Sequence, residues 1–200
     1  MKKISILALI AVTGSAFGFG FDDIQNWTGT GPNSSALVVD WNDGKTTESL
    51  AWGFHWTGSA TGLDMIEAIT AADPHLQAQI QVFSFGAALY GFSYDSNLDG
   101  LFTGPNDHKA AGFGGPGEDG YWGYYVGGPS ATFPSWSFAS TGAGGRDLAN
   151  QSWDGWSWTP STGTDTDPSV PAAAPVPEPA TMAALGLGLL AIRRRVRRQG

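Results

Sequence analysis

Two short stretches of this chain leave little freedom in how it folds. Residues 35–41 put Leu37, Val39 and Trp41 on one side and Val38 and Asp40 on the other, and residues 49–56 return with Trp52, Phe54 and Trp56 on one side. Strict alternation of this kind is the period of a β-strand. Between them, Asn42-Asp43-Gly44-Lys45 holds the residue types that accept the positive φ of a tight hairpin. The chain is therefore expected to open on an aromatic hairpin. With no cysteine among its 200 residues, disulfides, zinc thiolate sites and thiol catalysis are excluded. The fold must be held by its core, and nine tryptophans supply much of the apolar material.

The period then changes. Thr61-Gly62-Leu63-Asp64 has the form of a capping box, Met65, Ile66 and Ile69 make an apolar stripe, and Asp73-Pro74 closes a helix predicted over 61–72. Residues 76–83 alternate again, with Gln77, Gln79 and Gln81 outward and Ala78, Ile80 and Val82 inward, and residues 90–94 make a further short strand. Residues 19–32 read as an irregular lead-in, and 95–107 and the glycine-rich 112–120 as loops. Three aromatic segments, 121–126, 136–139 and 153–158, read as closing strands. In the last of these, Trp156 and Trp158 share a face and Trp153 lies across from them. The stretch 159–176, rich in Pro, Thr, Ser, Asp and Ala, is expected to be a spacer.

Both ends carry targeting chemistry. Residues 1–18 combine Lys2 and Lys3, an apolar run from Ile4 to Val12, and small residues at 14–16 and 18, the pattern of a secretory signal peptide. At the other end, Pro177-Glu178-Pro179 is followed by an uncharged apolar run over 180–192 and then by Arg193, Arg194, Arg195, Arg197 and Arg198. The prolines hold the backbone extended and remove amide donors, and the arginines stop the run on the cytoplasmic side. Thirteen apolar residues are short of the roughly 20 that a spanning helix needs, so snorkelling arginines or a thinned bilayer would have to help. This tail, 177–198, resembles the PEP-CTERM sorting signal. The resemblance implies an exosortase-type enzyme acting at Pro177, Glu178 and Pro179 after export, transient membrane association, and a body (19–158) delivered to the cell surface or extracellular matrix.

Order and spacing in the body (strand, strand, helix, then more strands) describe an α+β, β-rich, single β-grasp-like domain. The hairpin followed by Thr61–Ile69, then Tyr-Trp-Gly-Tyr-Tyr-Val-Gly-Gly at 121–128, Gly-Gly-Arg-Asp-Leu at 144–148 and Trp-Asp-Gly-Trp-Ser-Trp at 153–158 resembles the transcobalamin C-terminal-like domain. That resemblance implies a β-grasp fold and a corrinoid or similar planar ligand.

Charge narrows the partners further. Of ten basic residues, only Lys45, Lys109 and Arg146 belong to neither end, against seventeen acids. A body this acidic excludes nucleic acid, which needs a basic footprint. It suits an extracellular protein and a calcium ion. Asp95-Ser96-Asn97-Leu98-Asp99-Gly100 has oxygen ligands at alternate positions, the first half of a calcium loop, but Asn106 stands where the twelfth-position carboxylate belongs. An Asx-rich turn is the plainer account of the same residues. Trp122 and Tyr124 are the candidate ligand-facing aromatics, for a carbohydrate (including an exopolysaccharide) or a planar molecule. His55, His75 and His108 lack metal-ligand spacing, and no nucleophile elbow or phosphate cradle occurs. No enzyme is expected, and three classes stay open: matrix component, small-ligand binding module, and hydrolase with two converging carboxylates.

Overall fold

The structure, a computed structural model, describes residues 18–84 and 86–177. Those residues form ten strands, one α-helix and two sheets. The signal peptide through residue 17, Glu178, Pro179, the apolar run and the five arginines lie outside the described residues.

The larger sheet is built on the predicted hairpin. Strand β1 (Trp27–Gly29) pairs in parallel with β3 (Ser49–Trp56), which pairs antiparallel with β2 (Asn33–Asp40) along its whole length. Past β2 the sheet continues through β9 (Ser152–Pro160), parallel to β2, then β7 (Gly120–Gly127) and β8 (Trp136–Phe138), both antiparallel to their neighbours. The connection between β2 and β3 is longer than the tight hairpin expected: Asp40 pairs with Ser49, and Trp41 N–H closes the loop on Glu48 O at 2.8 Å. The extra length has a use. Asp43 reaches Nδ1 of the buried His108 at 3.0 Å, while Lys45 contacts Asp43 at 3.3 Å and donates to Asp107 O at 2.5 Å. Burial pulls the Asp43 carboxyl up, but the His108 and Lys45 contacts outweigh it and hold it below 3.8.

The helix α1 (Gly62–Ala72) begins as its sequence requires. Thr61 Oγ1 accepts the Asp64 amide at 3.2 Å, Asp64 accepts the Thr61 amide at 2.7 Å, and Met65, Ile66 and Ile69 are buried. A smaller sheet follows, β4 (Leu76–Phe83), β5 (Gly86–Tyr94) and β6 (His108–Ala111), in that antiparallel order. Strand β6 lies between the two loops expected there, and the lead-in contains β1. In β4 the three glutamines are exposed as expected, but Val82 is 82% exposed rather than inward. The register shifts between Gln79 and Ile80; Ile80 still packs against the core, and the strand end at Val82 and Phe83 runs beyond it.

Two aromatic layers cover the two faces of the larger sheet. Trp41, Trp52, Trp56, Trp122, Trp156 and Trp158 join Leu37, Val39 and Leu50 on the inner face, against α1 and the smaller sheet. Trp153 lies on the opposite face with Val38 and Ala36, packed by Trp27, Phe21, Phe133 and Trp136. The division follows from strand alternation: odd and even positions of one strand serve different layers. Close approach is paid for in side-chain size. The Trp27 ring sits where a Cβ on Gly53 would stand, 2.1 Å away.

The stretch expected as a spacer is instead a strap on the sheet. Ser169 N–H donates to Asp40 at 2.8 Å, Ala172–Ala173 pair in parallel with Leu50 and Ala51 as β10, and Ala174, fully buried, donates to Ala51 O at 2.9 Å. Asn26 then holds Pro175 O at 3.0 Å.

Candidate functional site

Strands β7 and β9 lie side by side, so their inward residues meet in pairs: Trp122 opposite Trp158, and Tyr124 opposite Trp156. The Tyr124 and Trp156 rings stack at 4.3 Å with 10° between planes, and Trp122 donates its indole N–H to Ala110 O at 3.1 Å. Trp122, Tyr124 and Trp156 floor a cleft of about 860 Å³. Its lips are Phe113 and Phe138, 42% and 61% exposed, and one wall is the glycine-rich turn through Ala143–Gly145 with Ser140 and Thr141 beside it. No charged side chain lines it among the described residues. A volume of this size with apolar walls and a few polar groups is what small-molecule sites have in common.

On the same face, next along β9 from the floor, lies a polar cluster that sequence reading did not single out. Tyr124 hydroxyl donates to Asp154 Oδ2 at 2.5 Å, and Arg146 Nε stands 3.5 Å from Asp154 Oδ1. Asp154 is 1% exposed. Burial pushes its carboxyl up to about 6, against the pull of Tyr124 and Arg146, and burial beside that carboxylate pushes the Tyr124 phenol up as well. Gly62, at the start of α1, is held against this cluster: a Cβ there would lie 2.6 Å from Asp154 Oδ2 and 2.8 Å from the Tyr124 hydroxyl. The partners of the raised carboxylate are thus a phenol and a guanidinium. One signal was available in the sequence, since Arg146 is one of three cations between the two terminal segments.

Of the predicted site residues, Trp122 and Tyr124 are brought together in the cleft. Asp95, Asn97 and Asp99 bond to one another and to the amides of their own loop. Asp95 is fully buried and accepts from His75 Nδ1 at 3.0 Å, Gly100 N–H at 2.7 Å and Asp99 N–H at 3.3 Å. Asn97 accepts the Asp99 amide at 3.1 Å, and Asp99 accepts the Leu101 amide at 2.7 Å. Burial raises the Asp95 carboxyl, but these donors together outweigh it and hold it below 3.8. Among the described residues no group of three or more His, Cys, Asp or Glu could hold a metal ion. Asp95→Asn is expected to lower stability by about 2 kcal/mol, the cost of a lost charge-assisted acceptor, equally with calcium or with chelator. Thermal melts in both check it, and a wild-type Tm that rises with calcium while the variant's does not would place a calcium ion in this loop.

The fold and site together define a β-sheet body with a neutral aromatic cleft, strapped to its own C-terminal segment. That segment leads into a recognisable address. Residues 175–198 match the family model described as the PEP-CTERM protein-sorting motif, and the chain is thereby marked for exosortase-dependent sorting to the cell surface. No curated protein and no solved structure matches the chain. Among the described residues no helix is long and apolar enough to cross a membrane.

Proposed function

We propose that this protein is a surface-displayed, non-catalytic binding module that takes a small uncharged ligand with a ring face, such as a unit of exopolysaccharide or a planar molecule. The observation that carries this reading is the cleft floored by Trp122, Tyr124 and Trp156. Its neutral lining disfavours an ionic ligand, which would be desolvated without a counter-charge. Aromatic floors suit ring faces, and the Ser140 and Thr141 hydroxyls offer the few directed hydrogen bonds that fix orientation. The strand order β3-β2-β9-β7-β8, with a helix following the first hairpin, supports a β-grasp reading of the larger sheet, with β4 to β6 added to it. The apolar tail would hold the precursor in the inner membrane until it is processed.

Titration of the purified body with oligosaccharides of the native matrix, and separately with a tetrapyrrole, followed by tryptophan fluorescence, tests the reading. A saturable change is expected with one of the two. Phe113→Ala and Phe138→Ala, both at exposed lips, should each weaken that binding about tenfold, the scale of one stacking contact, with Tm unchanged. No response to either ligand class would leave the matrix-component reading in its place.

A further inference from the structure

The sorting motif begins at residue 175, and the residue before it, Ala174, is fully buried in the sheet edge. A tail that is to be processed by a membrane enzyme is therefore rooted in the folded body with no slack. Glu178 is four residues beyond Ala174, so its backbone can stand no more than about 14 Å from that anchor. A body of this length is roughly 40 Å across. With the strap docked, the processing enzyme would have to reach a site pressed against a body much wider than the tether is long.

The contacts that root the tail lie along one edge of the sheet, with Ala174 seated in the core layer. The strap from Ser161 onward holds by Ser161 on Asp119, Tyr121 and Thr159 on Asp165, Ser169 on Asp40 and Ser49, Ala172–Ala173 on β3, Ala174 on Ala51 and Asn26 on Pro175. Apart from the two-residue β10 these are single hydrogen bonds at a sheet edge, the kind of element that opens below the global unfolding free energy. Undocking the fourteen residues 161–174 would add about 45 Å of reach.

We propose that the strap is a latch on processing: exosortase acts on the motif through a state in which residues 161–175 have left the edge of β3, and the docked strap withholds it. After cleavage the strap returns to β3, and the new C-terminus is held flush against the body.

The register supplies the test, because Ala51 and Ala173 are paired and the chain has no cysteine of its own. The full chain carrying Ala51→Cys and Ala173→Cys is expressed in its native cells, oxidised, and followed by pulse-chase of the tail-bearing precursor. Processing is expected to slow at least tenfold relative to either single-cysteine chain, and to recover on reduction. Inserting ten Gly/Ser residues between Pro175 and Val176 of the cross-linked chain adds about 35 Å and should restore the rate without reduction. A cross-linked chain processed at the unaltered rate overturns the latch. So does a slow chain that the insertion fails to rescue, since the block would then not be one of reach. An unaltered chain that keeps its tail would take down the sorting reading, and the latch with it.

Discussion

Trp52→Ala is expected to cost about 3–5 kcal/mol and to lower Tm by about 10–15 °C for a domain of this size. Trp52 is fully buried at the centre of the inner layer, edge-on to Tyr94 at 5.7 Å, and its loss opens a cavity that strands on both sides cannot close. The indole also has a polar partner. Its N–H donates to Asp73 Oδ2 at 2.8 Å, at the residue that caps the end of α1. Truncation therefore removes packing and a donor at once, although Asn26 continues to donate to the same oxygen at 2.9 Å. Trp52→Phe separates the two effects: most of the volume stays, the hydrogen bond goes, and about 1–2 kcal/mol is expected. Denaturant melts of both variants would check this. A loss below 1 kcal/mol for the alanine variant would mean that the larger sheet is not anchored on this side chain.

The second large effect depends on pH and runs against the usual direction for a carboxylate. Asp154 holds its proton to about pH 6 in the folded protein, against 3.8 for an unperturbed carboxyl. Between those values the folded state binds more protons than the unfolded one, so stability is greatest below pH 4 as far as this group is concerned and falls as pH rises through 6. The loss is about 3 kcal/mol once both states are ionised. Asp43 and Asp95 pull the other way, because their folded values lie below 3.8. Their contribution disappears only as the solution is acidified through those lower values. Asp154→Asn keeps an acceptor for the Tyr124 hydroxyl and cannot titrate, so its Tm should be flat between pH 4 and 7 where the wild-type Tm declines. Parallel curves for the two proteins would show that another group carries the dependence.

The strands and the helix could be read from the chain because each announces itself locally. Trp52, Phe54 and Trp56 repeat every second residue, and the Thr61–Asp64 box marks the helix start within one residue of where it forms. The elements that escaped have no such signal. Strand β6 is four residues long, His-Lys-Ala-Ala, and β10 is two alanines whose pairing uses backbone atoms alone. A Pro- and Thr-rich composition says that a segment will not form a helix, but says nothing about whether it docks. The two predicted ligand-facing aromatics do line a cleft, yet most of its surface could not have been foreseen. Phe113, Phe138 and the 142–145 turn come from distant parts of the chain, and it is pairing with β7, by β8 at Phe138 and by a bridge from Phe113 to Tyr121, that brings the two rings to one place. The Asp95 loop shows where sequence alone stops. Alternate oxygens can gather a cation or their own amides, and only geometry distinguishes the two.

The pairing of β2 with β9 has a consequence in time. Ser35 and Ser152 are adjacent in space, their hydroxyls 2.9 Å apart, yet they are separated by 117 residues of chain. A polypeptide exported from its N-terminus delivers the first hairpin early and leaves one flank of β2 open until β9 emerges, when nearly the whole body has crossed. Non-local pairing of this kind makes folding slow, and an unpaired flank beside Leu37 and Val39 is where a partly delivered chain would associate with its neighbours. The moment of greatest risk for this protein falls just before its own tail arrives.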